Sequence, residues 1–189
     1  DTTAQVRLQE ERAGYDWSAR PSESQDLDPE ALAIARRRLN TSVRPERRAL
    51  AGLSDPDLVR ALGVVDGSDR LVRAGAVLLG SSDCSVTYTY RETPAGEPQV
   101  IERLQGSLLG VYDKVMDLIR VRRRLTPVTL PDGQQLQVED FPELAVREAL
   151  TNALIHRDYT LSDPVTIEHS PSVLAITSPG PLVAGVRLD

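Results

Sequence analysis

The run Arg147–Tyr159, R-E-A-L-T-N-A-L-I-H-R-D-Y, sets a carboxylate, a carboxamide and an imidazole four positions apart, at Glu148, Asn152 and His156. An α-helix turns roughly 100° per residue, so positions four apart return to within about 40° and share one stripe. Ala149, Leu150, Ala153, Leu154 and Ile155 supply apolar surface around that stripe. A glutamate and an asparagine one turn apart beside buried surface can handle a water and a divalent cation together. His156 is a third polar partner, a metal ligand or a structural residue. Polar residues at this spacing also form plain solvent faces.

Such a stripe needs a helix of several turns, and the pattern predicts one over about Pro142–Arg157. Upstream, Asp28 suits an N-cap and Pro29 the first helical position; Leu32, Ile34, Ala35 and Leu39 follow before Asn40-Thr41-Ser42 ends the helix. Ser54 or Asp55 caps a second, short helix through Leu58 and Leu62, ending at Gly63. A turn at Asp66–Ser68 leads to the apolar segment Ala74–Leu79, closed by Gly80. Ser85–Arg91 alternates β-branched and aromatic residues as a strand does, and a Pro/Gly turn joins it to a strand near Val100–Leu104. A helix over Ser107–Arg124 carries a broad apolar stripe. Short strands at Thr126–Leu130 and Gln135–Val138 flank the tight turn Pro131-Asp132-Gly133. Val165–His169 and Val173–Thr177 form a last antiparallel pair, with His169 expected at the surface. Helices mixed with antiparallel strands predict an α+β two-layer sandwich, not a doubly wound parallel sheet.

At 189 residues, 40% hydrophobic and 26% charged, the chain can bury one good core or two small ones. No apolar run approaches the roughly 20 residues that span a bilayer, and no secretory signal opens the chain. The expected location is therefore cytoplasmic, without a membrane partner. A single cysteine, Cys84, excludes an internal disulfide and a cysteine-based zinc site, and is expected to be inert and half-buried. Neither G-x-x-x-x-G-K-[ST] nor G-x-G-x-x-G occurs, which excludes a P-loop ATPase for this chain.

The net charge of −6 argues against binding nucleic acid through the whole surface. Lys114 is the only lysine, and the arginines cluster at Arg36, Arg37, Arg38, Arg44, Arg47 and Arg48, and again at Arg120, Arg122, Arg123 and Arg124. Arginine grips phosphate bidentately, so either cluster could touch a nucleic-acid backbone or a nucleotide; the plainer alternative is a solvated helix face. The segment Asp1–Gln25 is polar and aperiodic, with Tyr15 and Trp17 expected to pack it onto the domain. The chain reads as an internal fragment, or the ordered part, of something longer.

R-E-A-L-T-N-A-L-I-H-R-D-Y-T, then P-V-T-I-E, then L-A-I-T-S-P-G-P-L resembles the divergent GHKL-type ATP-binding domain of bacterial proteins described as transcriptional regulators or ATP-dependent DNA helicases. In that family the domain follows a Schlafen-type, AlbA-like DNA-binding domain, which is absent here or survives only as a tail before Leu53. The resemblance covers roughly Leu53 to Val186, and Glu148–Tyr159 is its most specific part. It implies the sandwich of gyrase, chaperone, histidine-kinase and mismatch-repair ATPases, with helices covering a mixed sheet. Its first nucleotide motif, E-x-x-x-N, matches Glu148 and Asn152. By that likeness Glu148 orients or deprotonates the attacking water, and Asn152 gives its carbonyl oxygen to Mg²⁺ bridging the phosphates of ATP. His156 and Arg157, one turn on, are candidates for phosphate contact. The wider superfamily's D-x-G-x-G falls on Ser178-Pro179-Gly180-Pro181-Leu182: Gly180 fits, Ser178 replaces the acid that accepts from adenine, and Leu182 replaces the second glycine. A serine hydroxyl still accepts from an amine, less strongly than a carboxylate. The family's glycine-rich lid would lie beyond Asp189, leaving at most half a nucleotide site here.

The organisation expected is an N-terminal tail and helix over residues 1–52, a connecting helix and hairpin over 53–104, and a partial GHKL-like domain over 105–189. The leading reading is an ATP- and Mg²⁺-binding regulatory domain of a bacterial DNA-binding transcriptional regulator, touching DNA through a domain outside this chain. Homodimerisation is among its expected states, and hydrolysis is open. The alternatives are an active Mg²⁺-dependent ATPase acting on DNA and a degenerate GHKL-fold interaction module without nucleotide. Ser178 and Leu182 disfavour the active ATPase; Glu148 and Asn152 disfavour the empty module.

Overall fold

The computed structural model describes residues 17–81 and 84–180, which fall into two compact units divided after Ser81. Tyr15 and Leu182 lie outside the described residues. Among the described residues no helix is long and apolar enough to cross a membrane.

The first unit is helical. Helix α1, Pro29–Asn40, starts where Asp28 accepts a hydrogen bond from the Glu30 amide, and it buries Ala31, Leu32, Ile34 and Ala35. A one-and-a-half-turn helix α2, Pro45–Leu50, follows; nothing on it is buried, and no apolar period announces it in the sequence. Helix α3, Asp55–Ala61, is capped by Ser54, whose hydroxyl accepts from the Asp57 amide. Gly63 then turns the chain at φ +70°, a conformation that costs a residue with a Cβ. The apolar segment near Ala74–Leu79 is a helix, α4, Arg73–Leu79. Gly75 lets it approach the chain before it: a Cβ there would stand 2.5 Å from the Val64 carbonyl oxygen. Trp17 lies under the Arg73 guanidinium, 5.2 Å from it, so this aromatic residue packs as expected.

The second unit is α+β. Strands β1, Cys84–Tyr90, and β2, Val100–Gly106, form the expected antiparallel hairpin. Helix α5, Leu108–Arg120, opens with the Ser107 hydroxyl accepting from the Gly110 amide. Strands β3, Leu125–Thr129, and β4, Gln135–Glu139, make a separate ribbon turning through Gly133 at φ +84°. Helix α6 spans Glu143–Ile155, and strands β5, Val165–Ser170, and β6, Val173–Thr177, close the unit. The four-stranded sheet has the order β2-β1-β5-β6.

Antiparallel pairing is what the residues predict, and β5–β6 obeys it; β1 and β5, however, run parallel, with Val86 opposite Val165 and Tyr90 opposite His169. The hairpin placed by sequence in a connecting region thus shares one sheet with β5 and β6. A parallel pair needs a long crossover, and α5, the ribbon and α6 provide it. The core lies between sheet and helices: Val86 and Tyr88 from β1, Val111, Val115 and Met116 from α5, Leu150 and Leu154 from α6, Val165 and Ile167 from β5. Cys84, expected half-buried, is fully inside this core.

Candidate nucleotide-binding face

Helix α6 buries Val146, Leu150 and Leu154 and leaves Glu148, Asn152 and His156 exposed on another side. The helix therefore presents the carboxylate and the carboxamide to solvent one turn apart, about 6 Å along its axis. His156 caps the C-terminus; its amide donates to the Asn152 carbonyl at 3.0 Å. The same exposed surface carries two large apolar side chains, Leu144 at 77% and Ile155 at 61% exposure.

The end of β6 is fastened to the last turn of α6. The Ser178 hydroxyl donates to the Ala153 carbonyl at 2.8 Å, and the Asp158 amide donates to the Pro179 carbonyl at 3.1 Å. That use of the hydroxyl proton leaves the serine's lone pairs as acceptors. Gly180 follows at φ +128°, with its α-carbon so near Asp158 that a Cβ would stand 3.0 Å from the Asp158 Cβ. Asp158 accepts from both the amide and the hydroxyl of Thr160, which hold its carboxyl below the usual carboxylate range. Ser178 and Gly180 thus border the C-terminal end of α6, at Ala153 and Asp158.

Arg157 points elsewhere. It is buried, and one guanidinium nitrogen donates to the Asp163 carbonyl at 2.8 Å, to the Leu161 carbonyl at 3.1 Å and to the Ser85 hydroxyl at 3.4 Å. The Tyr159 ring stacks 4.8 Å from it, and burial raises the Tyr159 hydroxyl's pKa. Arg157 so fastens the loop between α6 and β5, and its guanidinium is turned from the face that carries Glu148.

His169 differs from the surface position expected. It is 2% exposed, its Nδ1 lies 2.6 Å from the Tyr88 hydroxyl, and the rings of Tyr88, Tyr90 and Phe141 meet it edge-on. Its Nε2 has no hydrogen-bond partner among the described residues. Burial lowers its pKa against the pull of Asp140 and with the push of Arg122, while burial raises Tyr88 to about 12. The signal was present in the strand itself, since His169 follows Val165 and Ile167 at a period of two on the inward face.

Among the described residues no group of three or more His, Cys, Asp or Glu side chains could hold a metal on its own. A cation at Asn152 would therefore depend on ligand oxygens from phosphate and water, the habit of Mg²⁺.

No family model matches the chain, and no curated protein matches it. The crystal structure of the DIP2311 protein from Corynebacterium diphtheriae is similar, with a TM-score of 0.79 and 29% identity over 95% of this chain. The chain spans 36% of that protein's length.

Proposed function

We propose that the second unit is part of a GHKL-type nucleotide-binding domain that takes ATP with Mg²⁺ and serves a regulatory role in a bacterial DNA-binding transcriptional regulator. The observation that carries this reading is the exposed pair Glu148 and Asn152, one turn apart on α6, beside the β6 end that Ser178 ties to Ala153. The residues fit the ion. The Asn152 carboxamide oxygen is a hard ligand at a solvent-facing position, and among the described residues no cysteine or imidazole cage competes for a softer metal. Mg²⁺, when bound, screens the charge of the phosphates. Glu148 holds a water by hydrogen bond and takes its proton if hydrolysis occurs. Ser178 keeps acceptor capacity for an exocyclic amine. The principal DNA contact belongs to a domain outside this chain.

A second reading, a GHKL-fold interaction module without nucleotide, is favoured by exposed Leu144 and Ile155 on α6. Calorimetric titration of the full-length protein with Mg²⁺ and a non-hydrolysable ATP analogue separates the two. Saturable, Mg²⁺-dependent binding that is lost in Asn152→Ala supports the nucleotide reading. No heat at millimolar ligand, or equal affinity in Asn152→Ala, removes it and leaves the interaction module.

A further inference from the structure

The two arginine clusters meet different fates. In the second, Arg120 pairs with Glu143 at 2.8 Å and Asp117 at 3.2 Å, Arg123 with Glu139 at 2.8 Å, and Arg124 with Glu92 at 2.8 Å. Arg122 donates to the Leu118 carbonyl and lies over the Tyr88 and Tyr90 rings. That cluster is spent within the unit. In the first cluster Arg36 is likewise spent, on the carbonyls of Ala51 and Leu53 and on the Asp55 carboxylate.

The loop between α1 and α2, with α2 itself, remains. Arg44, Arg47 and Arg48 are exposed, and neither Arg44 nor Arg47 has a carboxylate partner among the described residues. Positions 44, 47 and 48 lie three and four apart at the start of a helix, so their side chains are neighbours. One Arg48 nitrogen donates to the Ser42 carbonyl at 2.8 Å, which holds that guanidinium against the loop. Val43, at the loop's crest, is 90% exposed. Glu46 is the only acid between Arg36 and Arg48, in a chain whose net charge is −6. Positive charge is therefore concentrated at one tip, where Arg44 and Arg47 face no carboxylate among the described residues.

We infer that this tip, Val43 with Arg44, Arg47 and Arg48, is a contact for the phosphodiester backbone of duplex nucleic acid. Guanidinium groups engage phosphate oxygens in pairs, which ammonium groups cannot do. A duplex carries about one charge per 1.7 Å of its axis, dense enough to be held by a small basic patch on an acidic protein. An exposed aliphatic side chain amid arginines is the combination that minor-groove binders present, the cations on phosphate and the apolar group at the base steps. A lipid surface would instead require a broad apolar face beside the charge, and the tip offers one valine. The inference is independent of the α6 site.

The test is fluorescence anisotropy of the 189-residue chain with a labelled random-sequence DNA duplex of about 20 base pairs, salt stepped from about 50 to 200 mM. A duplex RNA and phosphatidylserine vesicles run in parallel. Saturable duplex binding is expected, weakened about tenfold or more in Arg44→Ala/Arg47→Ala, with the salt slope reduced by about 2, since each phosphate contact contributes about 0.9. Glu46→Gln should tighten binding, and Arg123→Ala, from the paired cluster, should leave it unchanged. Absence of duplex binding, an unaltered slope in the double variant, or binding to vesicles in place of either duplex overturns the inference. Should the double variant fail to fold, weaker or equal binding by Glu46→Gln overturns it alone.

Discussion

The hydroxyl of Tyr88 on β1 lies 2.6 Å from Nδ1 of His169 on β5, so the two central strands share a side-chain hydrogen bond inside the core. Tyr88→Phe removes the hydroxyl and leaves a buried ring nitrogen unsatisfied, at about 1–3 kcal/mol. Urea unfolding of the variant should show that loss with the slope unchanged. A midpoint equal to wild type would mean that the pair contributes nothing.

The same histidine makes stability depend on pH. Burial lowers its folded pKa below the ordinary value of 6.5, so the unfolded chain binds the proton first. Stability is fully present above 6.5 and falls as pH drops from there to the folded pKa, by at most about 1.4 kcal/mol per pH unit. Asp158 and Glu143, whose pKa values are also lowered, titrate only at more acidic pH, below their usual range. His169→Gln should flatten the decline that begins below about pH 6.5 and leave the acid limb in place. Parallel profiles for variant and wild type would assign the upper limb to another group.

Arg157 fastens the α6–β5 loop through two carbonyls at 2.8 and 3.1 Å. Arg157→Ala should cost about 2–3 kcal/mol, and Arg157→Lys should recover only part of it, because an ammonium does not stack on the Tyr159 ring as the planar guanidinium does. Limited proteolysis after Arg157→Ala should cut between Thr160 and Pro164. Wild-type resistance in that loop would show that the guanidinium is dispensable.

Gly180→Ala should loosen the end of β6. At φ +128° an alanine is strained, and its Cβ would meet the Asp158 Cβ at 3.0 Å. The cost should be about 1–3 kcal/mol, read as a lower melting temperature. Proton exchange at the Asp158 amide should speed up as its bond to the Pro179 carbonyl weakens. An unchanged amide rate would mean that the backbone absorbs the extra methyl.

Local patterns wrote most of the elements into the sequence. Asp28 with Pro29, and Ser54 ahead of the second helix, mark helix starts that the structure keeps, and the alternation in Ser85–Arg91 marks a strand. The spacing of Glu148, Asn152 and His156 put all three on the exposed side of α6. Helix α2 escaped because its Pro-Glu-Arg-Arg-Ala-Leu carries no apolar period, and its fold depends on Pro45 and on chain context. The parallel β1–β5 pair escaped because a strand's own residues fix which face is buried, not which distant strand lies beside it. Likewise Arg157 looks in sequence like a continuation of the polar stripe, yet it falls just past the helix end, where the chain turns it inward.

The parallel register has a kinetic consequence. The centre of the sheet joins Val86 to Val165, so its closure waits until α5, the ribbon and α6 have been made and brought round. Contacts of such high sequence separation are reached against a large loop-closure entropy. On a ribosome the β1–β2 hairpin emerges long before its β5 neighbour, with one edge of β1 open to other strands in the interval. Folding of this unit should thus be slow for its size and most prone to mispairing at β1.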